Sequence, residues 1–172
     1  MTTSNFTVLP ASFESFPDQA RVWLFAAPAS VSGSLQTALL ESLSDNLTKW
    51  KSHGTEISAN AAFLDEVTLL VVADFTQAHM SGCSIDRMIL AVREAGTQAG
   101  VDLVDSSGVH YWQSGVHQFV DRQRFGELVS SGEVDGTTTV LDLTRIHLGE
   151  IRQGRWKAPA SSTWHRRAYS LA

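Results

Sequence analysis

Residues 56–73 read EISANAAFLDEVTLLVVA. Two apolar runs, 56–64 and 67–73, are separated by Asp65 and Glu66. The second run, VTLLVVA, shows no polar alternation, which is the pattern of a strand covered on both faces. The first run is weaker. The pair predicts a hairpin, although Asp-Glu is not the dipeptide that tight two-residue turns favour.

Upstream, RVWLFAA (21–27) is a second continuous apolar run rich in β-formers, and it ends at Pro28. PASVSGS follows as a loop, with Ser34 placed to cap a helix. Leu35, Leu39, Leu43, Leu47 and Trp50 then recur at helical spacing, and Gly54 is placed to end that helix in a left-handed conformation. Downstream, Ile85, Met88, Ile89 and Val92 predict a second amphipathic helix, with Gly96 and Gly100 near its end. VDLVD (101–105) predicts a short strand. The order is βαββαβ, the split βαβ pattern of a ferredoxin-like α+β core. In that core the first and third strands lie centrally and parallel. RVWLFAA and VTLLVVA, the most continuously apolar segments, fit those positions.

The remaining third predicts a β-rich C-terminal extension. VHYWQSGVHQFV (109–120) reads as a hairpin turning at Ser114-Gly115. Asp121 caps a short helix ending at Gly132, and TTTVLDLTRIHL (137–148) reads as a strand. The chain therefore divides into an N-terminal arm (1–20), a βαββαβ core (21–107) and an extension packed on it (108–172). Phe6, Phe13 and Phe16 are the residues by which the arm would dock.

Apolar residues make up 43 % of the 172, enough for a substantial core. A single cysteine allows no internal disulfide and suits a reducing cytoplasm. The N-terminal residues lack the basic and apolar regions of a secretory signal, and no apolar run reaches the length of a membrane span. Net charge is −5, unevenly spread. Residues 1–150 hold 8 basic and 18 acidic residues; residues 151–172 hold five basic and no acidic ones.

Three short pieces stand out together: WKSHG (50–54), SGCSID (81–86) and TWHRR (163–167). With this spacing the chain resembles a family of uncharacterised bacterial proteins of about this length, from about residue 12 onward. The resemblance implies no established activity and assigns no catalytic roles. Some members of that family carry an ABC-transporter ATPase label, which this sequence speaks against. A P-loop needs G-x-x-x-x-G-K-[ST] to wrap and neutralise phosphates, and none of the 12 glycines is followed by lysine.

In a split βαβ core the loops 28–34 and 74–84 emerge on one edge, each leading into a helix N-terminus. Backbone N–H groups and the helix dipole there favour an anion. Ser32, Ser34, Ser81, Gly82, Cys83 and Ser84 would line that cleft and bind a small anionic ligand, in a binding or regulatory module rather than an enzyme. The same serines serve equally as ordinary helix caps. A second reading makes Cys83, at a helix start, a nucleophile or redox sensor with His79 as its base. Against it, a free cysteine commonly packs as a small buried apolar residue. A third uses Trp156, Trp164 and Tyr169, interleaved with basic residues, to contact single-stranded nucleic acid. The acidic body argues for the tail lying along it instead. His53 is expected at the far edge of the sheet from His79. No metal motif and no cofactor are indicated, and an exposed sheet edge leaves a homodimer open.

Overall fold

A computed structural model describes residues 7–172. It contains a three-stranded sheet with two long helices on one face, and a second, four-stranded sheet with short helices built from the C-terminal third. The first sheet has strands β1 (Arg21–Ala26), β4 (Ser58–Phe63) and β5 (Thr68–Asp74) in the order β1-β5-β4, all neighbours antiparallel. Helix α1 (Gly33–Thr48) follows β1, and α2 (Gly82–Ala99) follows β5. A two-residue ladder, β2 (Lys51–Ser52) with β3 (Thr55–Glu56), lies between α1 and β4.

Alternation along the strands divides the molecule into layers. Phe25 of β1 and Leu69, Val71 and Ala73 of β5 meet Leu39, Leu43 and Leu47 of α1 and Met88 and Val92 of α2. Val22 and Leu24 of β1 and Leu70 and Val72 of β5 point the other way. There they meet Phe13 and Phe16 of the arm and Leu141, Leu148, Ile151 and Trp156 of the C-terminal third. Phe6 lies outside the described residues.

The mixed α and β class is as expected, but the ferredoxin-like core is not. That core needs its first and third strands parallel and central. Here β1 and β5 are antiparallel, from Arg21 opposite Ala73 to Ala26 opposite Thr68. Only β5 is central. The apolar continuity of β1 has another cause. Both its faces are covered, and its outer edge is met by residues 146–148. The Val22 N–H donates to the Ile146 carbonyl, and the Leu148 N–H to the Ala20 carbonyl (both 3.0 Å).

VDLVD forms no strand. The Asp102 carboxylate accepts from the Val104 and Asp105 N–H groups, a local turn that diverts those donors from a ladder. The last expected strand shrinks to β8 (Thr139–Leu141) for the same reason, since Asp142 accepts from the Thr144 N–H. Gly54 does not end α1 either; with His53 it makes the left-handed turn between β2 and β3. The hairpin at Asp65-Glu66 does form. Asp65 Oδ1 accepts from the N–H groups of Val67 (3.0 Å) and Thr68 (2.8 Å), which makes an otherwise poor turn pair workable.

The second sheet runs β7-β6-β8-β9, antiparallel throughout, with β6 (Gly108–Gln113), β7 (Val116–Asp121) and β9 (Lys157–Pro159). Ser114 and Gly115 turn the hairpin with positive φ, as its sequence predicts. Helix α3 (Arg122–Ser131) is capped by Asp121, which accepts from the Arg124 N–H at 2.7 Å. Val109 and Tyr111 turn into a core with Phe125, Leu128 and Val140, while Trp112 packs toward the first sheet. A short helix, α4 (Leu148–Arg152), and a final turn, α5 (His165–Ala168), complete the chain.

Candidate functional site

The antiparallel sheet separates the loops that were to share a cleft. Loop 28–34 leaves β1 beside the β4–β5 turn, where the Val31 N–H donates to the Glu66 carbonyl (2.7 Å). Loop 75–81 leaves β5 at the opposite end, beside the end of α1. There Ser52 Oγ donates to the His79 carbonyl, and Trp50 Nε1 donates to the Ser84 carbonyl (2.9 Å). The two helix N-termini therefore face different ends of the sheet. His53 is also displaced from its expected place, since its hairpin lies at the His79 end. The pieces WKSHG and SGCSID, distant in sequence, are packed together here.

The serines of both loops act as caps. Ser32, not Ser34, caps α1, accepting from the Leu35 N–H. Ser34 contacts Ser32 Oγ at 3.2 Å. Ser81 and Ser84 form a reciprocal capping box at α2, with Ser84 buried and donating to the Ser81 carbonyl. Gly82 is an exposed first-turn residue. Cys83 is exposed rather than packed inside. His79 is exposed too, and among the described residues no hydrogen bond joins it to the thiol. The tail's rings are largely used inside the molecule. Trp156 is buried and its Nε1 donates to Thr7 Oγ1 (2.7 Å), while Lys157 pairs with Asp65.

A different site emerges in the C-terminal third. A cavity of about 400 Å³ opens between the start of β6, the end of β8 and the Trp164-His165 turn. Val109, Leu141 and Leu143 give it an apolar wall, and His110, Thr144, His165 and Arg122 supply polar groups. This is the size and mixture of a small-ligand pocket.

His110 sits on the opposite face of β6 from Val109 and Tyr111, and is 2 % exposed. Its Nδ1 lies 3.0 Å from His117 Nε2, and its ring packs on Phe119. Its Nε2 is buried and has no hydrogen-bond partner among the described residues. Burial pushes the His110 imidazole down to about 4, and the adjacent His117 adds to the effect. His165 is 1 % exposed, stacked on Trp164 with ring centroids 3.9 Å apart. Its Nδ1 lies 2.8 Å from Thr163 Oγ1. Burial likewise pushes it down to about 4. Both rings are therefore neutral at physiological pH. Arg122, at the N-terminus of α3, stands over the Trp164 ring at 5.8 Å. Among the described residues no carboxylate pairs with it.

Two imidazoles do not make a metal centre by themselves. Among the described residues no group of three or more His, Cys, Asp or Glu side chains is placed to hold an ion. No helix among them is long and apolar enough to cross a membrane.

The sequence signals for this site were present but weak. His110 interrupts an apolar strand, and Trp164 and His165 are the centre of TWHRR. Nothing in their spacing tells that a hairpin 50 residues upstream meets them. No protein-family model, curated protein or solved structure matches the chain.

Proposed function

We propose that the protein is a non-catalytic binding module for a small organic anion, held in the cavity between β6, β8 and the Trp164-His165 turn. One observation carries this. A ligand-sized cavity with an apolar wall of Val109, Leu141 and Leu143 carries at its rim the Arg122 guanidinium, which has no carboxylate partner among the described residues. Arg122 supplies a planar cation suited to carboxylate or phosphate, and the Trp164 ring lines the cavity beside it. The site of anion binding thus moves from the helix starts to the second sheet. We read the chain as a cytoplasmic relative of the uncharacterised bacterial proteins that its three motifs resemble.

The test is titration of isotope-labelled protein with benzoate, followed by NMR. The Trp164 indole and the His110 and His165 rings should shift saturably. Arg122→Gln, at an exposed position, should weaken binding about tenfold or more while leaving the fold intact. No shift at these residues in millimolar benzoate would overturn the proposal.

A further inference from the structure

A second cavity, of about 370 Å³, lies in the first half of the chain, between the end of α1, β2 and one row of α2. Arg87, Leu90, Ala91 and Glu94 stand at i, i+3, i+4 and i+7 and so share one face of α2. Lys49 and Lys51 line the cavity from the segment that follows α1. Residues 1–150 hold only 8 basic residues against 18 acidic ones, and three of the 8 meet here.

Ordinary structural roles do not account for all three. Among the described residues Lys49 and Arg87 have no carboxylate partner, and residues 1–6 contain no acid. Lys51 meets Glu56 at 3.6 Å with both side chains exposed, a pair that contributes little. Lys49 and Lys51 complement the carbonyl end of α1. Arg87, in the N-terminal half of α2, gains no such help from its own helix dipole.

The cavity is also polarised along its length. Trp50 Nε1 donates to the Ser84 carbonyl at 2.9 Å, which holds Lys49 and Lys51, the neighbours of Trp50, beside the first turns of α2. Arg87 is at that end. Glu94 lies two turns further on, about 10 Å along the helix axis. Between them stands Leu90, a large apolar side chain left 48 % exposed. Three cations and one carboxylate leave the lining with two positive charges, whereas the cavity beside Trp164 has Arg122 alone.

We infer that this cavity is a separate site for a phosphate monoester with a short apolar body. The dianionic phosphate sits at Lys49, Lys51 and Arg87, and the body lies along Leu90. Glu94 at the far end disfavours a second acidic group on that body. Two flexible ammonium groups and a guanidinium suit the oxygens of a phosphate, and the volume is that of a small-ligand site.

Phenyl phosphate is the probe, titrated into isotope-labelled protein at pH 7.5, where such an ester carries close to two negative charges, and followed by NMR. The backbone amides of Lys51, Arg87 and Leu90 should shift saturably. Benzoate, with one charge, should act on these amides at least about tenfold more weakly. Equal affinities here would overturn the dianion assignment. Lys49→Gln combined with Arg87→Gln, both at exposed positions, should leave the melting temperature unchanged and weaken phenyl phosphate binding at least about tenfold. An unchanged affinity would overturn the site. So would shifts that never saturate, or that appear equally at Arg93 outside the cavity, since those report charge screening only. Benzoate shifts at Trp164 come from the other cavity, so the two sites stand or fall separately.

Discussion

His110 and His165 set how the molecule responds to acid. Both are held near 4 in the fold, against an ordinary value of 6.5. Between those values the unfolded chain takes up protons that the fold refuses, so stability is full above about 6.5 and falls as pH drops toward 4. Each histidine contributes roughly 3 kcal/mol at most to that loss. Urea denaturation at pH 7 and pH 5 should show a lower midpoint at pH 5. Proton uptake on unfolding in that window should come from both rings, with a further share from His117, which burial also pushes down; a pH-independent midpoint would contradict the burial of both rings. Individual residues were the least legible part of the sequence. Cys83 illustrates why. Its side is decided by where α2 starts, and at about 100° per residue it lies roughly 140° around the helix from buried Met88. A general tendency of cysteines to be buried carries no such angle. His110 was hidden for the opposite reason: its environment is assembled from segments far apart in the chain.

Elements whose signals are local were read well. The Ser114-Gly115 turn, the Asp121 cap and the left-handed Gly132 all depend on backbone preferences within a few residues. The failures were also local in origin. Asp102 and Asp142 each turn back on N–H groups two or three residues ahead, and so end extended segments that apolar composition alone would continue. Capping shows how fine the distinction is. Ser32 and Ser34 flank the start of α1, and only the first occupies the cap position. Ser81→Ala removes the half of the α2 capping box in which Ser81 Oγ accepts from the Ser84 N–H, and should cost about 1 kcal/mol. Ser34→Ala removes no cap and should be close to neutral. Thermal melts of the two variants separate the roles; equal losses would mean that Ser81 does not act as the cap.

At the scale of the molecule, strand direction escaped the sequence. A run of residues covered on both faces looks the same in a parallel as in an antiparallel neighbour, and the same whether its edge is met by a strand or by a loop. The segment 146–148, which covers β1, lies some 120 residues beyond it. The two halves of the chain are therefore locked together by contacts that no local pattern announces. Arg152 is the clearest instance. Its guanidinium donates to the Phe13 and Phe16 carbonyls, both at 2.9 Å, and pairs with Asp18. Arg152→Ala should destabilise by about 2 kcal/mol, from the loss of charge-assisted hydrogen bonds. The arm should become the first site of cleavage by a non-specific protease; a cleavage pattern unchanged from wild type would show that the aromatic contacts suffice alone.

That clasp has a consequence in time as well as in space. Residues 13–18 are synthesised long before Leu148, Ile151, Arg152 and Trp156, the groups that receive them. A nascent chain that has completed both long helices still has Phe13 and Phe16 in water and one face of its first sheet bare. Slow closure of such distant contacts is the usual cost of non-local topology. Here it makes the back of the first sheet the surface that must be shielded from aggregation until the C-terminal third has emerged.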